Sequence, residues 1–332
     1  MSILLFIAGL LFILGGANFM TDGASAIARK MGLSDFIVGL TIVSMMTSAP
    51  ELVVSLTSAF NHSSGMAVGN IVGSNIFNIL VIVGVSAMIK PIRIEGGILV
   101  NEIPLVILSS GALLAIGCSP LLDGTPMTVT RVDGILLLLF FLIFMRFTIA
   151  QAKKGDPAQD PKPASAAGSR DKEKEASKKQ LSVWLAIVYL VGGLVALILG
   201  GDWFVDGASG IARSLGMSEA MIGLTIIAAG TSLPELATSV VAAVKGSPGI
   251  CIGNVIGSNI FNIFFVLGMT ATVLPLGFGG IGLFDLLVLM AASLLFWIVG
   301  WFGGYRTIKR SEGLLLFLIY VAYITALCLH RS

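Results

Sequence analysis

The sequence has 332 residues, of which 56% are hydrophobic and 11% are charged, and its mean hydropathy is +0.99. An ordinary soluble domain carries about 25% charged residues, so this composition excludes a soluble globular protein and indicates a polytopic membrane protein. The net charge of +2 favours neither a nucleic acid nor an acidic partner, and three widely spaced cysteines are too few for a disulfide framework.

Ten apolar stretches are long enough to cross a bilayer, which takes about 20 residues. They begin near Ile3, Phe36, Met66, Ile98, Val132, Val183, Met221, Ile250, Leu283 and Leu314. The first stretch lacks a basic region before it and a small-residue cleavage site after it, so we expect a retained helix and not a signal peptide. The sequence therefore predicts an all-α membrane protein with ten transmembrane helices.

A hydrophilic stretch separates the fifth apolar stretch from the sixth. Between about 151 and 180 the chain is rich in Pro, Ala, Ser and Lys and has almost no large apolar side chains. Such a segment cannot bury a core, and we expect it to be a disordered tether. The chain therefore divides into a first five-helix half, residues 1–150, a linker, residues 151–180, and a second five-helix half, residues 181–332.

The two halves contain copies of one segment. Residues 22–84 align without a gap with residues 206–268, at a constant offset of 184, and Gly69–Asn78 matches Gly253–Asn262 at eight of ten positions. An odd number of spans in each copy places the second copy upside down in the membrane relative to the first. We therefore predict two inverted five-helix repeats, with a binding site near the membrane midplane between them.

The placement of lysine and arginine predicts the orientation. With the N-terminus outside, seventeen basic residues fall on the inner side and three on the outer side, or nine against three without the linker. Basic residues concentrate on the cytoplasmic side of membrane proteins. The sequence therefore predicts that both termini lie outside and that the linker lies in the cytoplasm.

Two glutamates, Glu51 and Glu235, lie within apolar stretches, each at the end of a Thr-Ser-x-Pro-Glu run. An ionisable group at membrane depth is costly, so it marks an ion or substrate pathway. The residues that share a helical face with each glutamate are Ser44, Thr47 and Ser48 in the first copy and Ala228, Thr231 and Ser232 in the second. Because Pro50 and Pro234 lack an amide hydrogen, we expect the helix to break there and to free carbonyl oxygens.

The following span of each copy adds oxygen ligands from Ser74 and Asn78, and from Ser258 and Asn262. Calcium takes 6 to 8 oxygen ligands and tolerates irregular geometry, whereas magnesium demands a tight octahedron. Two carboxylates neutralise one divalent ion, and the same pair would accept monovalent ions in its place. The pattern therefore favours a calcium site at which two kinds of cation compete, which is the basis of exchange.

The paired Gly-x-x-x-x-x-x-x-Thr-Ser-x-Pro-Glu and Gly-Asn-x-x-Gly-Ser-Asn-x-x-Asn motifs lie at about 39–84 and 223–268. They resemble the alpha repeats of the sodium/calcium exchanger family, within the cation/calcium exchanger superfamily. The resemblance covers nearly the whole chain apart from the linker. It implies ten helices in inverted repeats, of which the first and the sixth form a mobile gating pair.

The resemblance also implies a role for each matching residue. Glu51 and Glu235 would bind both calcium and sodium, and Thr47 and Thr231 would offer backbone carbonyls to calcium. Flanking sodium sites would be completed by the side chains of Ser48, Ser232, Ser74 and Ser258 and by the carbonyls of Ser44 and Ala228. Asn78 and Asn262 would lie between these sites.

Two positions depart from the pattern of that family. Many exchangers have aspartate at one or both of the positions of Asn78 and Asn262, and the potassium-dependent branch looks acidic there. Asparagine at both positions disfavours potassium cotransport. Met46 stands where the family usually has the glycine that the second copy keeps as Gly230, and we expect it to stiffen or narrow the first break.

The sequence therefore predicts a sodium/calcium antiporter that works by alternating access as a monomer in a prokaryotic inner or plasma membrane. Its partners would be membrane lipid and the two transported ions, without a cofactor or a nucleic acid. Two alternatives stay open: a proton/calcium antiporter, in which protons replace sodium on the glutamates, and a passive cation channel. An enzyme is not expected, because the chain has no nucleotide motif and no paired nucleophile and base.

Overall fold

The computed structural model describes residues 1–122, 124–154, 181–215, 228–302 and 305–331. The α-helices are α1 (Ser2–Met31), α2 (Asp35–Val38), α3 (Ser44–Thr47), α4 (Ala49–Phe60), α5 (Ser64–Phe77), α6 (Val83–Ile89), α7 (Gly96–Val100), α8 (Glu102–Gly117), α9 (Ser119–Leu122), α10 (Arg131–Lys154), α11 (Val183–Ser214), α12 (Ala228–Gly230), α13 (Leu233–Lys245), α14 (Pro248–Ile260), α15 (Gly268–Val273), α16 (Leu283–Phe302) and α17 (Arg310–Arg331). Within the described ranges, the π-helical segments are π1 (Gly39–Val43), π2 (Asn78–Ile82) and π3 (Phe261–Leu267). The strands are β1 (Ile92–Arg93), β2 (Thr128–Val129), β3 (Leu276–Gly277) and β4 (Thr307–Ile308).

Nine stretches of the described residues are long and apolar enough to cross a membrane. They are Ser2–Met31, Asp35–Phe60, Ser64–Ile89, Gly96–Gly117, Arg131–Ala152, Val183–Ser214, Pro248–Val273, Leu283–Phe302 and Arg310–Leu329. The prediction of an all-α polytopic membrane protein is confirmed. The seventh predicted span begins near Met221 and falls partly on residues 216–227, which lie outside the described residues, so the count of ten stays a prediction.

The predicted linker, residues 151–180, lies almost wholly outside the described residues. The described chain continues as helix α10 as far as Lys154 and resumes at Leu181. The prediction of a disordered tether therefore concerns a part of the chain about which the structure gives no description.

Helices α1 and α11 lie against each other along their length, and glycine sets how closely they approach. A Cβ atom built on Gly16 would lie 2.7 Å from the carbonyl oxygen of Gly193, and one built on Gly193 would lie 2.7 Å from that of Gly16. Further glycines that make backbone approaches of this kind between the two helices are Gly9, Gly23, Gly200 and Gly207. Small residues allow membrane helices to pack backbone to backbone in this way.

The centre of the protein consists of two interrupted helices, α5–π2–α6 in the first half and α14–π3–α15 in the second. They are the most deeply buried of the nine spans. The last helix of each half packs on the central helix of the other half: α10 contacts π3 and α15, and α17 contacts π2 and α6. The apolar side chains exposed on the outer helices, such as Leu4 in α1 and Leu318 in α17, are those that lipid would cover.

Two small antiparallel sheets join the halves. Strand β1 pairs with β4, with Ile92 opposite Ile308, and β2 pairs with β3, with Val129 opposite Leu276. Helix α8 connects β1 to β2, α16 connects β3 to β4, and these two helices pack against each other. The two sheets therefore lie at opposite ends of the α8–α16 pair, and each sheet takes one strand from each half.

One ion pair links α1 to the second half. The Nζ atom of Lys245, in the last turn of α13, lies 2.8 Å from Oδ1 of Asp22 and donates to the carbonyl oxygen of Asn18 at 3.0 Å. The residues at the equivalent positions of the other copies are Asp206 and Asn61, so the second pairing would lack a cation. By sequence, this contact therefore has no ionic counterpart in the other copy.

Candidate ion-binding site

The helix of each duplicated motif is interrupted just before its proline. Helix α3 ends at Thr47, Ser48 has φ −85° and ψ 7°, and α4 begins with Pro50 in its first turn. In the second copy Ser232 has φ −92° and ψ 7°, and α13 begins with Pro234 in its first turn. The predicted breaks are confirmed. The two breaks have nearly the same backbone angles although Met46 replaces glycine in the first copy, so the stiffening or narrowing expected of Met46 stays a prediction.

Glu51 and Glu235 lie in the first turns of α4 and α13, and their side chains are 0% and 1% exposed. Each accepts a hydrogen bond from the serine of the opposite break: the Ser48 hydroxyl donates to Oε1 of Glu235 at 3.0 Å, and the Ser232 hydroxyl donates to Oε1 of Glu51 at 3.5 Å. The Ser74 hydroxyl also donates to Oε1 of Glu51, at 3.5 Å. The structure therefore brings the two breaks face to face, each with its carboxylate against the other half.

Several buried oxygen atoms of the two duplicated motifs lack a hydrogen-bond donor within the described part of the chain. They are Oε2 of Glu51, Oε2 of Glu235, Oγ of Ser258, Oδ1 of Asn78 and Oδ1 of Asn262. A buried polar atom without a partner is costly, so a group of them needs an explanation such as a bound ion. Carboxylate, hydroxyl and amide oxygens are the ligands that hard cations take in proteins.

The charge of the two carboxylates has no buried basic counterpart among the described residues. Among the described residues, the buried Asp, Glu, Lys, Arg and His side chains are all acidic: Glu51, Glu102, Glu235 and Asp285. A buried charge without a partner is strongly unfavourable, so a bound cation or a proton must compensate it. The described residues contain no group of three His, Cys, Asp or Glu side chains, so such a cation would need carbonyl, hydroxyl and amide oxygens as well.

The other predicted residues lie as follows. Ser44 donates its hydroxyl to the carbonyl of Leu40 at 2.8 Å, and its own carbonyl accepts from the Ser48 amide at 3.0 Å. Ala228 is the first residue of α12, and its side chain lies outside the described set. Asn78 is the first residue of π2, and Asn262 lies within π3. A π-helical segment inserts an extra residue into a turn and is common at functional sites.

Three asparagines at the site were not selected from the sequence, although all three belong to the repeated motif. The Thr47 hydroxyl donates to Oδ1 of Asn254 at 3.2 Å, and the Thr231 hydroxyl donates to Oδ1 of Asn70 at 3.3 Å. The third is Asn75, whose Oδ1 accepts from Nδ2 of Asn262 at 3.1 Å. The signal available in the sequence was their recurrence at the offset of 184, since each has an asparagine counterpart in the other copy.

Comparisons with known proteins find relatives that cover most of the chain. The sodium/calcium exchanger protein family matches residues 1–150 and 185–329. The sodium/calcium exchanger MaX1 of Methanosarcina acetivorans is 32% identical over 346 residues, covering 98% of this chain and 98% of that protein. The inner membrane protein YrbG of Escherichia coli is 35% identical over 271 residues, covering 82% of this chain and 79% of that protein. A solved structure of the sodium-calcium exchanger NCX_Mj is 31% identical and superposes with a TM-score of 0.79, covering 98% of each chain.

Proposed function

The chain belongs to the sodium/calcium exchanger protein family, and from that premise we propose that it exchanges Na⁺ for Ca²⁺ across the membrane by alternating access. Membership of this family makes the protein a membrane transporter of the cation/calcium exchanger type and not an enzyme. The identity of the counter-ion and the residues that bind each ion are the parts that belong to the proposal.

The observation that carries the proposal is the pair of buried carboxylates without a buried basic partner among the described residues. One Ca²⁺ neutralises Glu51 and Glu235 together, and Na⁺ ions do so when they replace it. Because both ions need the same carboxylates, they occupy the site in turn. A site with its charge neutralised is also the form in which the gating helices, the first and the sixth, can cross the membrane midplane at low cost.

We assign the ligands as the resemblance to the family implies. Glu51 and Glu235 bind both ions, and the backbone carbonyls of Thr47 and Thr231 bind calcium, while the threonine hydroxyls donate to Asn254 and Asn70. Sodium is bound on either side by the remaining oxygens, which are those of Ser44, Ser48, Ser74, Ala228, Ser232 and Ser258. The amide oxygens of Asn78 and Asn262 lie between these positions.

We further propose that residues 1–150 and 181–332 are inverted five-helix repeats with ten transmembrane helices in all. Residues 151–180 then lie in the cytoplasm of a prokaryotic cell, with both termini outside. The protein acts as a monomer, because the site is built from the two halves of one chain. Alkaline phosphatase fused to the C-terminus is expected to be active, and the same enzyme inserted at residue 165 is expected to be inactive; the reverse result would invert the topology.

The decisive experiment measures calcium uptake into proteoliposomes at constant pH on both sides. With sodium inside and none outside, we expect uptake that collapses when a sodium ionophore dissipates the gradient. Uptake that ignores sodium and follows an imposed pH gradient would instead make the protein a proton/calcium antiporter. Flux without any counter-ion, at rates beyond those of a carrier, would make it a channel.

The site is tested in the same vesicles with Glu51→Gln and Glu235→Gln, each of which should lower uptake about 100-fold or more because a neutral amide cannot compensate a divalent ion. Glu312→Gln is the matched control, since this half-buried glutamate accepts from the Lys309 amide at the start of α17, far along the chain from both breaks. It should keep normal uptake. Normal uptake by either site variant would remove that glutamate from the site.

A further inference from the structure

Asn254, a fully buried residue of α14, contacts both helix breaks. Its Oδ1 accepts from the Thr47 hydroxyl of the first half at 3.2 Å. Its Nδ2 donates to the carbonyl oxygen of Glu235 at 3.4 Å and to the hydroxyl of Ser239 at 3.0 Å. One planar amide therefore joins the glutamate-bearing helix of its own half to the break of the other half.

Asn70, in α5, makes the same three contacts in the inverted sense. Its Oδ1 accepts from the Thr231 hydroxyl of the second half at 3.3 Å. Its Nδ2 donates to the carbonyl oxygen of Glu51 at 3.4 Å and to the hydroxyl of Ser55 at 3.3 Å. Each of these four residues stands 184 positions from its counterpart around Asn254. The arrangement therefore occurs twice, which chance packing of one side chain would not produce.

The chemistry of these contacts requires asparagine. A carboxamide offers two donor hydrogens on one side and an acceptor oxygen on the other, in one rigid plane. Aspartate would lose both donors and add a third carboxylate to the site, and leucine would lose all three contacts. Each amide oxygen also accepts a hydrogen bond from a threonine hydroxyl of the opposite half, which fixes the position of that threonine in the break.

We propose that Asn70 and Asn254 are positioning residues that couple the two helix breaks, so that the threonine carbonyl of one half and the glutamate of the other half are held in register. They touch no ion. The proposal rests on the proposed function, because the register it describes is that of the exchange site. Its consequence is that calcium binding depends on two specific cross-half pairs, Thr47 with Asn254 and Thr231 with Asn70.

The test is a double-mutant cycle on the full-length protein, with Thr47→Val, Asn254→Ala and the double variant. Thr47→Val removes the hydroxyl at nearly constant shape. We expect each single variant to raise the calcium concentration for half-maximal sodium-driven uptake about 5-fold to 30-fold, with the maximal rate changed less than about twofold. Because the bond that Thr47→Val breaks is one of the three that Asn254→Ala breaks, the double variant should be scarcely worse than Asn254→Ala alone. Thr47→Ser, which restores a hydroxyl, should recover most of the loss seen with Thr47→Val.

The matched control is the pair that the structure leaves unbonded, Thr47 with Asn70. The effects of Thr47→Val and Asn70→Ala on the half-saturating calcium concentration should multiply, because Thr47 bonds to Asn254 and Asn70 bonds to Thr231. The proposal is overturned when the Thr47 and Asn254 changes also multiply. It is equally overturned when the two changes couple in the thermal unfolding midpoint of the detergent-solubilised protein but not in the calcium dependence, since that result describes a structural bond only.

Failure of the proposed function gives a different pattern. In that case the unaltered protein shows no sodium-driven uptake, whatever the variants do. The coupling between the two substitutions is then measured from the shift that added Ca²⁺ causes in the unfolding midpoint of each variant. Coupling of Thr47 to Asn254 in that shift supports the positioning role without exchange, and independent effects reject it.

Discussion

The two copies of the duplicated segment have almost the same sequence around the site but not the same contacts. In the second copy, the Asn262 amide nitrogen donates to Asn75 at 3.1 Å, whereas in the first copy neither side-chain atom of Asn78 has a hydrogen-bond partner among the described residues. The two serine–glutamate bonds across the site also differ, at 3.0 Å from Ser48 and 3.5 Å from Ser232.

Because matched residues of the two copies make different contacts, the asymmetry comes from the arrangement of the helices and not from the motifs. Under the proposed alternating access between inverted copies, the opposite arrangement of the helices gives each copy the contacts that the other has now. A change at one position therefore tests this arrangement, and the same change at its counterpart provides the control.

The largest effects are expected between α1 and α11. Gly16 and Gly200 are counterparts, and a Cβ on either would lie within 3.0 Å of backbone atoms of the facing helix. Alanine at either position should destabilise the packing by about 1 to 3 kcal/mol, and the two variants should be alike. A lowered unfolding midpoint and reduced uptake would be measured.

The neighbouring glycines sharpen that test. A Cβ on Gly15 or on Gly201 meets nothing within 4 Å. Alanine there should be neutral or stabilising, by up to about 1 kcal/mol, because alanine favours a helix over glycine. Equal effects at Gly15 and Gly16 would show that backbone contact does not control this interface.

Removal of the two serine hydroxyls should separate the copies. Ser48→Ala deletes the 3.0 Å bond to Glu235 and should raise the half-saturating calcium concentration about tenfold, as expected for a hydrogen bond to a charged group. Ser232→Ala deletes the 3.5 Å contact with Glu51 and should raise it less, about twofold to threefold. The half-saturating calcium concentration for sodium-driven uptake is the quantity to compare. A larger effect of Ser232→Ala would contradict the assignment of the stronger hydrogen bond to Ser48.

The sequence predicted the centre of the site but not its hydrogen-bond network. Glu51 and Glu235 are conspicuous because they lie in apolar stretches, and Pro50 and Pro234 predict the breaks from local chemistry alone. The partners of Asn70 could not be predicted from local chemistry. A local pattern cannot tell which residue of the other half an amide meets 161 positions away, because that depends on how the helices pack.

The π-helical segments and the short strands leave no signal in the periodicity of the sequence. The π-helical segments that hold Asn78 and Asn262 differ from an α-helix by one residue in a turn, which a pattern of almost uninterrupted apolar residues cannot reveal. The two sheets have strands of two residues each and cross between the halves. Such strands are too short for an alternation of polar and apolar residues.

A smaller effect is expected where an amide is held in one copy only. Asn75→Ala removes the acceptor of Asn262 and should raise the half-saturating calcium concentration about fivefold, because the Asn262 amide is then free to rotate. Its counterpart Asn259 has a side-chain donor bond to the carbonyl of Val255, within its own helix. Asn259→Ala should therefore have less than about a twofold effect on uptake, and the opposite order would contradict the proposed asymmetry.

The smallest effect is expected at the ion pair between Lys245 and Asp22. Both side chains are partly exposed, at 27% and 47%, and an exposed pair contributes about 0 to 1 kcal/mol. Lys245→Gln should therefore lower the unfolding midpoint slightly, with a difference that disappears in concentrated salt. Asn61→Lys would supply the missing cation at the counterpart position, and its effect should have the opposite sign.

The two small sheets determine the order in which the protein can be completed during synthesis. Strands β1 and β2 emerge from the ribosome with the first half, and their partners β4 and β3 follow only with the second. Helices α6 and π2 likewise lack their packing partner until α17, the last described helix, has been synthesised. The first half therefore enters the membrane with unpaired strands and an uncovered central helix, and its packing is finished only when the C-terminal helix has been inserted.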